Sequence, residues 1–81
     1  MNMKTNVIFK NGLNLVCNEV SAHSDSSFLY VDDLADSAAI EIMNECLKNK
    51  WAFAQVNSLS HPRCIRLYVN NDQIERFAWT F

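Results

Sequence analysis

The chain has 81 residues, 49% of them apolar and 20% charged, with one Gly, one Pro and a net charge of −2. That length holds one packed core, so multi-domain enzymes are excluded, and the composition excludes disordered, collagenous and low-complexity chains. A domain this small has little apolar material to spare for a deep ligand pocket, because its aromatic residues are needed for packing.

Asn11-Gly12 separates two apolar, β-prone segments, Thr5 to Lys10 and Leu13 to Val20. This dipeptide accepts positive φ at both positions of a type I′ turn, so the segments read as a hairpin. A two-residue loop pairs Phe9 with Asn14, Ile8 with Leu15 and Val7 with Val16. Ser21 to Ser27 lacks any bulky apolar residue and reads as a loop, and Phe28 to Val31 as a short extended piece.

After Asp32 and Asp33, residues Ala35, Ala38, Ala39, Ile42, Met43, Cys46 and Leu47 recur with helical period and form one apolar stripe. Asp32 and Asp33 suit the capping of that helix, Asp36 its first turn, and Lys48 and Lys50 its C-terminal end. Trp51 to Val56, Arg63 to Asn70 and Gln73 to Phe81 read as three strands, the last two joined through Asn70-Asn71-Asp72. Alternation sets Ile65, Leu67 and Val69 on one face with Phe77, Trp79 and Phe81, and Arg66, Tyr68, Arg76 and Ala78 on the other. The expected architecture is therefore a single α+β domain over residues 1–81. One antiparallel sheet carries one helix on one face, in the order ββαβββ.

Charge is unevenly placed. Residues 11–47 hold seven acids (Glu19, Asp25, Asp32, Asp33, Asp36, Glu41, Glu45) and no Lys or Arg, whereas residues 48–81 hold five bases (Lys48, Lys50, Arg63, Arg66, Arg76) against two acids. Such asymmetry points to a charged partner. Glu41 and Glu45 stand four apart on the helix, a like-charge pair that an external cation would relieve, and Ile40 lies beside them off the main stripe. Asp33, Asp36, Ile40, Glu41 and Glu45 are accordingly the candidate partner-binding residues, fitting a protein with a basic, nucleic-acid-binding groove. The rival candidate surface is the open sheet face, where Arg66, Tyr68 and Arg76 would pair and stack with single-stranded nucleic acid.

Nothing in the chain spells out a reaction. His61 and Cys64 flank Pro62 with no reason to meet as base and nucleophile. His23, Cys17, His61, Cys46 and Cys64 lack the paired spacing of a metal site, and one glycine cannot build a phosphate cradle. No cofactor or metal is expected. Three irregularly spaced cysteines without an export signal read as free, buried thiols of a cytoplasmic protein, and no apolar run is long enough for a bilayer span.

In size, acidity and absence of an enzyme motif, the chain resembles the small inhibitors that phages encode against host defence, the anti-CRISPR proteins. That resemblance implies a non-enzymatic inhibitor in the host cytoplasm. It would bind a CRISPR effector complex or its nuclease and block target-DNA access, the acidic side chains standing in for phosphates. A toxin–antitoxin partner or a subunit of a larger assembly fits the same surface-occupying class, as monomer or homodimer, and a small nucleic-acid-binding accessory protein is the alternative.

Overall fold

The computed structural model describes residues 4–58 and 61–80. Its elements are β1 (Lys4–Phe9), β2 (Asn14–Cys17), β3 (Glu19–Ala22), β4 (Ser26–Leu34), α1 (Asp36–Asn49), β5 (Ala52–Ser58), β6 (His61–Asn70), a 3-10 turn (Asn71–Gln73) and β7 (Ile74–Thr80). The α+β class and the single helix stand, but the order is ββββαβββ. The expected single sheet is two antiparallel sheets, β2-β1-β7 and β3-β4-β6-β5.

Three local causes produce the difference. First, the Asn11-Gly12 turn is not type I′, because Gly12 alone has positive φ there (96°). The Gly12 N–H donates to the Phe9 carbonyl and the Phe9 N–H to the Leu13 carbonyl, making a three-residue loop with Gly12 at its left-handed position. The extra loop residue slides the register by one: Val7 faces Leu15 and Ile8 faces Asn14. A one-residue slip turns every side chain of β2 over, so Leu15 and Cys17 are buried and Val16 is 47% exposed.

Second, the segment expected to run unbroken to Val20 breaks at Asn18, whose N–H donates to the Tyr30 carbonyl and whose Oδ1 accepts from the Asp32 N–H. β2 thus ends in one sheet and β3 begins in the other. β3 and the start of β4 occupy the stretch expected to be a loop, Ser21 to Ser27. Its small polar residues are satisfied from outside: buried Ser27 donates to Asn71 Oδ1 at 2.6 Å, and Asn71 Nδ2 donates to the His23 carbonyl at 2.7 Å.

Third, β6 and β7 do not form a hairpin. The 3-10 turn carries the chain across to the other sheet, where β7 pairs with β1 from Lys4 opposite Thr80 to Phe9 opposite Ile74. Arg76 therefore lies in a different sheet from Arg66 and Tyr68, and Phe77, expected beside Ile65, faces Val7 instead and is 42% exposed. The side chains of Trp79 and Phe81 fall outside the described residues.

The core joins both sheets and the helix: Val7, Phe9 and Leu15 from one sheet; Leu29, Ile65, Leu67 and Val69 from the other; Ala39, Ile42 and Cys46 from α1. Trp51, between α1 and β5, closes it by stacking on Phe9 with ring centroids 4.6 Å apart and donating its Nε1–H to Gln73 Oε1.

The helix begins at Asp36, with the extended Ala35 as its N-cap residue and no side-chain cap. Asp32 and Asp33 do not cap it. They form an irregularity at the end of β4, where Asp33 adopts φ 56° and its N–H donates to Asp32 Oδ1. At the other end Lys50 is left-handed, and the Trp51 N–H reaches the Cys46 carbonyl at 2.9 Å, a Schellman-type stop.

Candidate protein-binding surface

Helix α1 rests on β6 and β5 through one narrow row, Ala39, Ile42 and Cys46. At about 100° per residue this row leaves two flanks. Met43 is half-buried on one flank, where Ile40 is 50% and Leu47 67% exposed; Asp36 begins the same flank in the first turn. Leu47 thus leaves the core stripe that the helical period assigned to it, because the sheet reaches only the central row.

Glu41 and Glu45 occupy the other flank and border a groove of about 510 Å³ between the helix and the first hairpin, lined on the hairpin side by Leu13, Asn14 and Leu15. Glu41 is exposed. Glu45 is half-buried and accepts a 3.0 Å hydrogen bond from Asn49 Nδ2, which also donates to the Glu45 carbonyl. Asp33 is exposed but belongs to β4, before the helix begins. The predicted set therefore splits into Ile40 and Asp36 on one flank, Glu41 and Glu45 on the other, and Asp33 beyond the N-terminus. Leu47 is the residue that sequence reasoning missed.

The outer face of the four-stranded sheet concentrates aromatic side chains. Phe28 and Tyr68 are directly opposed on β4 and β6, with ring centroids 4.6 Å apart, and Ser26 Oγ donates to Tyr68 Oη. Arg66 lies over the Tyr30 ring at 5.7 Å, and the edge of His23 meets Phe28 at 5.9 Å. Opposite Tyr68 and Arg66 on β5 stand only Ala52 and Ala54, which leaves a hollow of about 300 Å³ against the rings. The expected trio of Arg66, Tyr68 and Arg76 does not assemble, since Arg76 pairs with Ile8 in the other sheet. Phe28 and Tyr30 join the first two instead. Glu19 opposes Tyr30 from β3, so the face is not a basic one.

Cys17, Cys46 and Cys64 are buried and not disulfide-bonded. Burial pushes the Cys17 thiol up to about 12 and, with the nearby Glu45 charge, Cys46 up to about 11. Both are protonated at neutral pH, the opposite of what activates a nucleophile or a metal ligand. A hydrogen bond with Cys64 pushes the Tyr30 hydroxyl up to about 12, helped by desolvation and the Asp32 charge and opposed by Arg66. Among the described residues no group of His, Cys, Asp and Glu could hold a metal ion, and no helix is long and apolar enough to cross a membrane. His61's side chain lies outside the described residues. No protein-family model, curated protein or solved structure matches the chain.

Proposed function

We propose that this protein acts by occupying the surface of another protein. Its helix is the contact: Ile40 and Leu47 anchor it, and Asp36, Glu41 and Glu45, with Asp33 beyond the N-terminus, complement a basic, nucleic-acid-binding groove. On this reading it is an inhibitor of the anti-CRISPR kind, which covers the groove of a CRISPR effector or nuclease where target DNA would lie. The observation that carries the reading is the exposure of two large aliphatic side chains, Ile40 and Leu47, two helical turns apart on a helix that also exposes Asp36 and Glu41. Exposed aliphatic anchors ringed by charge fit an interface that is apolar at its centre and polar at its rim. The acids would set the rate of encounter and the salt dependence.

A pull-down from nuclease-treated lysate of the native host identifies the partner. Binding of the purified pair is then measured for Glu41→Lys/Glu45→Lys and for Leu47→Asp, each first shown to fold by circular dichroism. The charge reversal should weaken binding about tenfold or more at low salt and less at high salt. Unchanged binding by both variants sinks the proposal. A second reading is favoured by Phe28 and Tyr68 beside Arg66: a single-stranded nucleic acid stacked on the sheet face. It requires a mobility shift of single-stranded RNA or DNA that fades as salt rises and is lost in Tyr68→Ala.

A further inference from the structure

The two sheets expose four edges, and three of them are unfavourable for another strand. β2 and β3 are four residues each, and β7 carries the charges Glu75 and Arg76 near its start. β5 differs. It is seven residues long, reads Ala-Phe-Ala-Gln-Val-Asn-Ser, and is the outermost strand of its sheet. It contains no charge, proline or glycine, which are the features that normally keep an edge from recruiting another strand. Its residues on the outer face, Ala52 and Ala54, are exposed and small, so no long side chain stands in the way of a strand arriving alongside.

We infer that β5 is a homodimer edge: two copies pair antiparallel across a two-fold axis at Ala54, joining their four-stranded sheets into one of eight. The occupant is a second copy because the strand is complementary to itself. Antiparallel pairing centred on Ala54 sets that residue against its own copy, Phe53 against Gln55 and Ala52 against Val56. Like charges directly opposed would destabilise a self-pair, and this strand has none to oppose. The smallest side chain sits at the axis, where identical residues must approach each other, and the interface is isologous and closed, as a two-fold dimer requires. Phe53, only half-buried within one chain, lies within that paired segment. The dimer would carry two copies of helix α1, and it forms without the partner proposed above, so its measurement stands apart from that reading.

The test is sedimentation velocity of the purified chain from low to high micromolar concentration, with amide exchange followed by mass spectrometry over the same range. The expected result is a species of twice the 9.3 kDa chain mass whose fraction rises with concentration. Amides of residues 52–56 should become protected in step with it, while those of β2 and β7 do not. Ala54→Lys, which opposes two ammonium groups at the axis, should weaken self-association about tenfold or more while leaving the circular dichroism spectrum unchanged. A monomer at every concentration overturns the inference. So does a dimer in which exchange of residues 52–56 is independent of concentration, and that second readout serves even if the lysine variant fails to fold.

Discussion

Asn71→Ala should be among the most damaging polar substitutions in this domain, and the reason lies on two other elements. The Asn71 side chain accepts from Ser27 Oγ at 2.6 Å and donates to the His23 carbonyl at 2.7 Å, while its own N–H donates to the Asp25 carbonyl. Ser27 is completely buried, so truncation strands its hydroxyl away from water, at about 1–3 kcal/mol. The His23 carbonyl belongs to an exposed residue where water can replace the amide, which adds only about 0.5 kcal/mol. Together these give about 1.5–3.5 kcal/mol, or roughly 6–28 °C in the thermal midpoint of a domain of this size. Ser27→Ala alone removes a hydrogen bond but leaves the Asn71 oxygen on a partly exposed residue, at about 0.5–1.5 kcal/mol. In the Asn71→Ala background the same change removes a stranded group, so it should be neutral or stabilising. Urea melts of the wild type, both single variants and the double variant close the cycle, with an expected coupling of at least about 1 kcal/mol. Additive effects would show that Ser27 does not depend on Asn71, and the account of how β3 and β4 are held would fail.

Lys50→Gly should raise stability by about 0.5–1 kcal/mol in chemical melts, since Lys50 holds φ 60° at the helix stop, where glycine bears no Cβ penalty. Asn6→Val should stabilise by about 1 kcal/mol, because Asn6 Oδ1 is buried without a partner on a central strand that favours β-branched residues. Alkaline pH should destabilise the fold. Cys17 holds its proton to about pH 12 when folded against 9.0 for an ordinary thiol, so the unfolded chain releases protons first. Its contribution is complete below about pH 8 and drains as pH rises from 9 towards 12, with a slope approaching 1.4 kcal/mol per pH unit. Cys46 adds in the same direction, and in Cys17→Ala melts the fall across this range should be visibly shallower.

How much of this was legible in the residues depended on the distance over which each was decided. The helix, the alternation of Ile65, Leu67 and Val69, and the burial of the cysteines are set by neighbours a few positions away, and they read correctly. Asn11-Gly12 was ambiguous because the dipeptide suits two loops that differ by one residue, and only the packing of Leu15 and Cys17 selects between them. The second half of β3 was invisible because Ser21 and Ala22 carry no strand signal of their own; they pair with Phe28 and Ser27, and the segment is tied down from residue 71. On the candidate surface, Ile40 followed from the helical period. Leu47 did not, because its exposure depends on how far β5 and β6 extend beneath the helix.

The pairing of β1 with β7 also constrains how the chain is made. Among the described elements, β1 comes first in the chain and is the centre of its sheet, and one of its two neighbours, β7, comes last. Until residue 80 emerges, one side of β1 has no partner, and Val7 lacks the strand that flanks it in the finished sheet. All of the four-stranded sheet and the helix precede β7 in the chain, whereas the three-stranded sheet closes only once β7 is available. Newly made chains therefore spend the interval with an apolar strand open to other molecules, and removing β7 should bring aggregation before it brings a smaller folded domain.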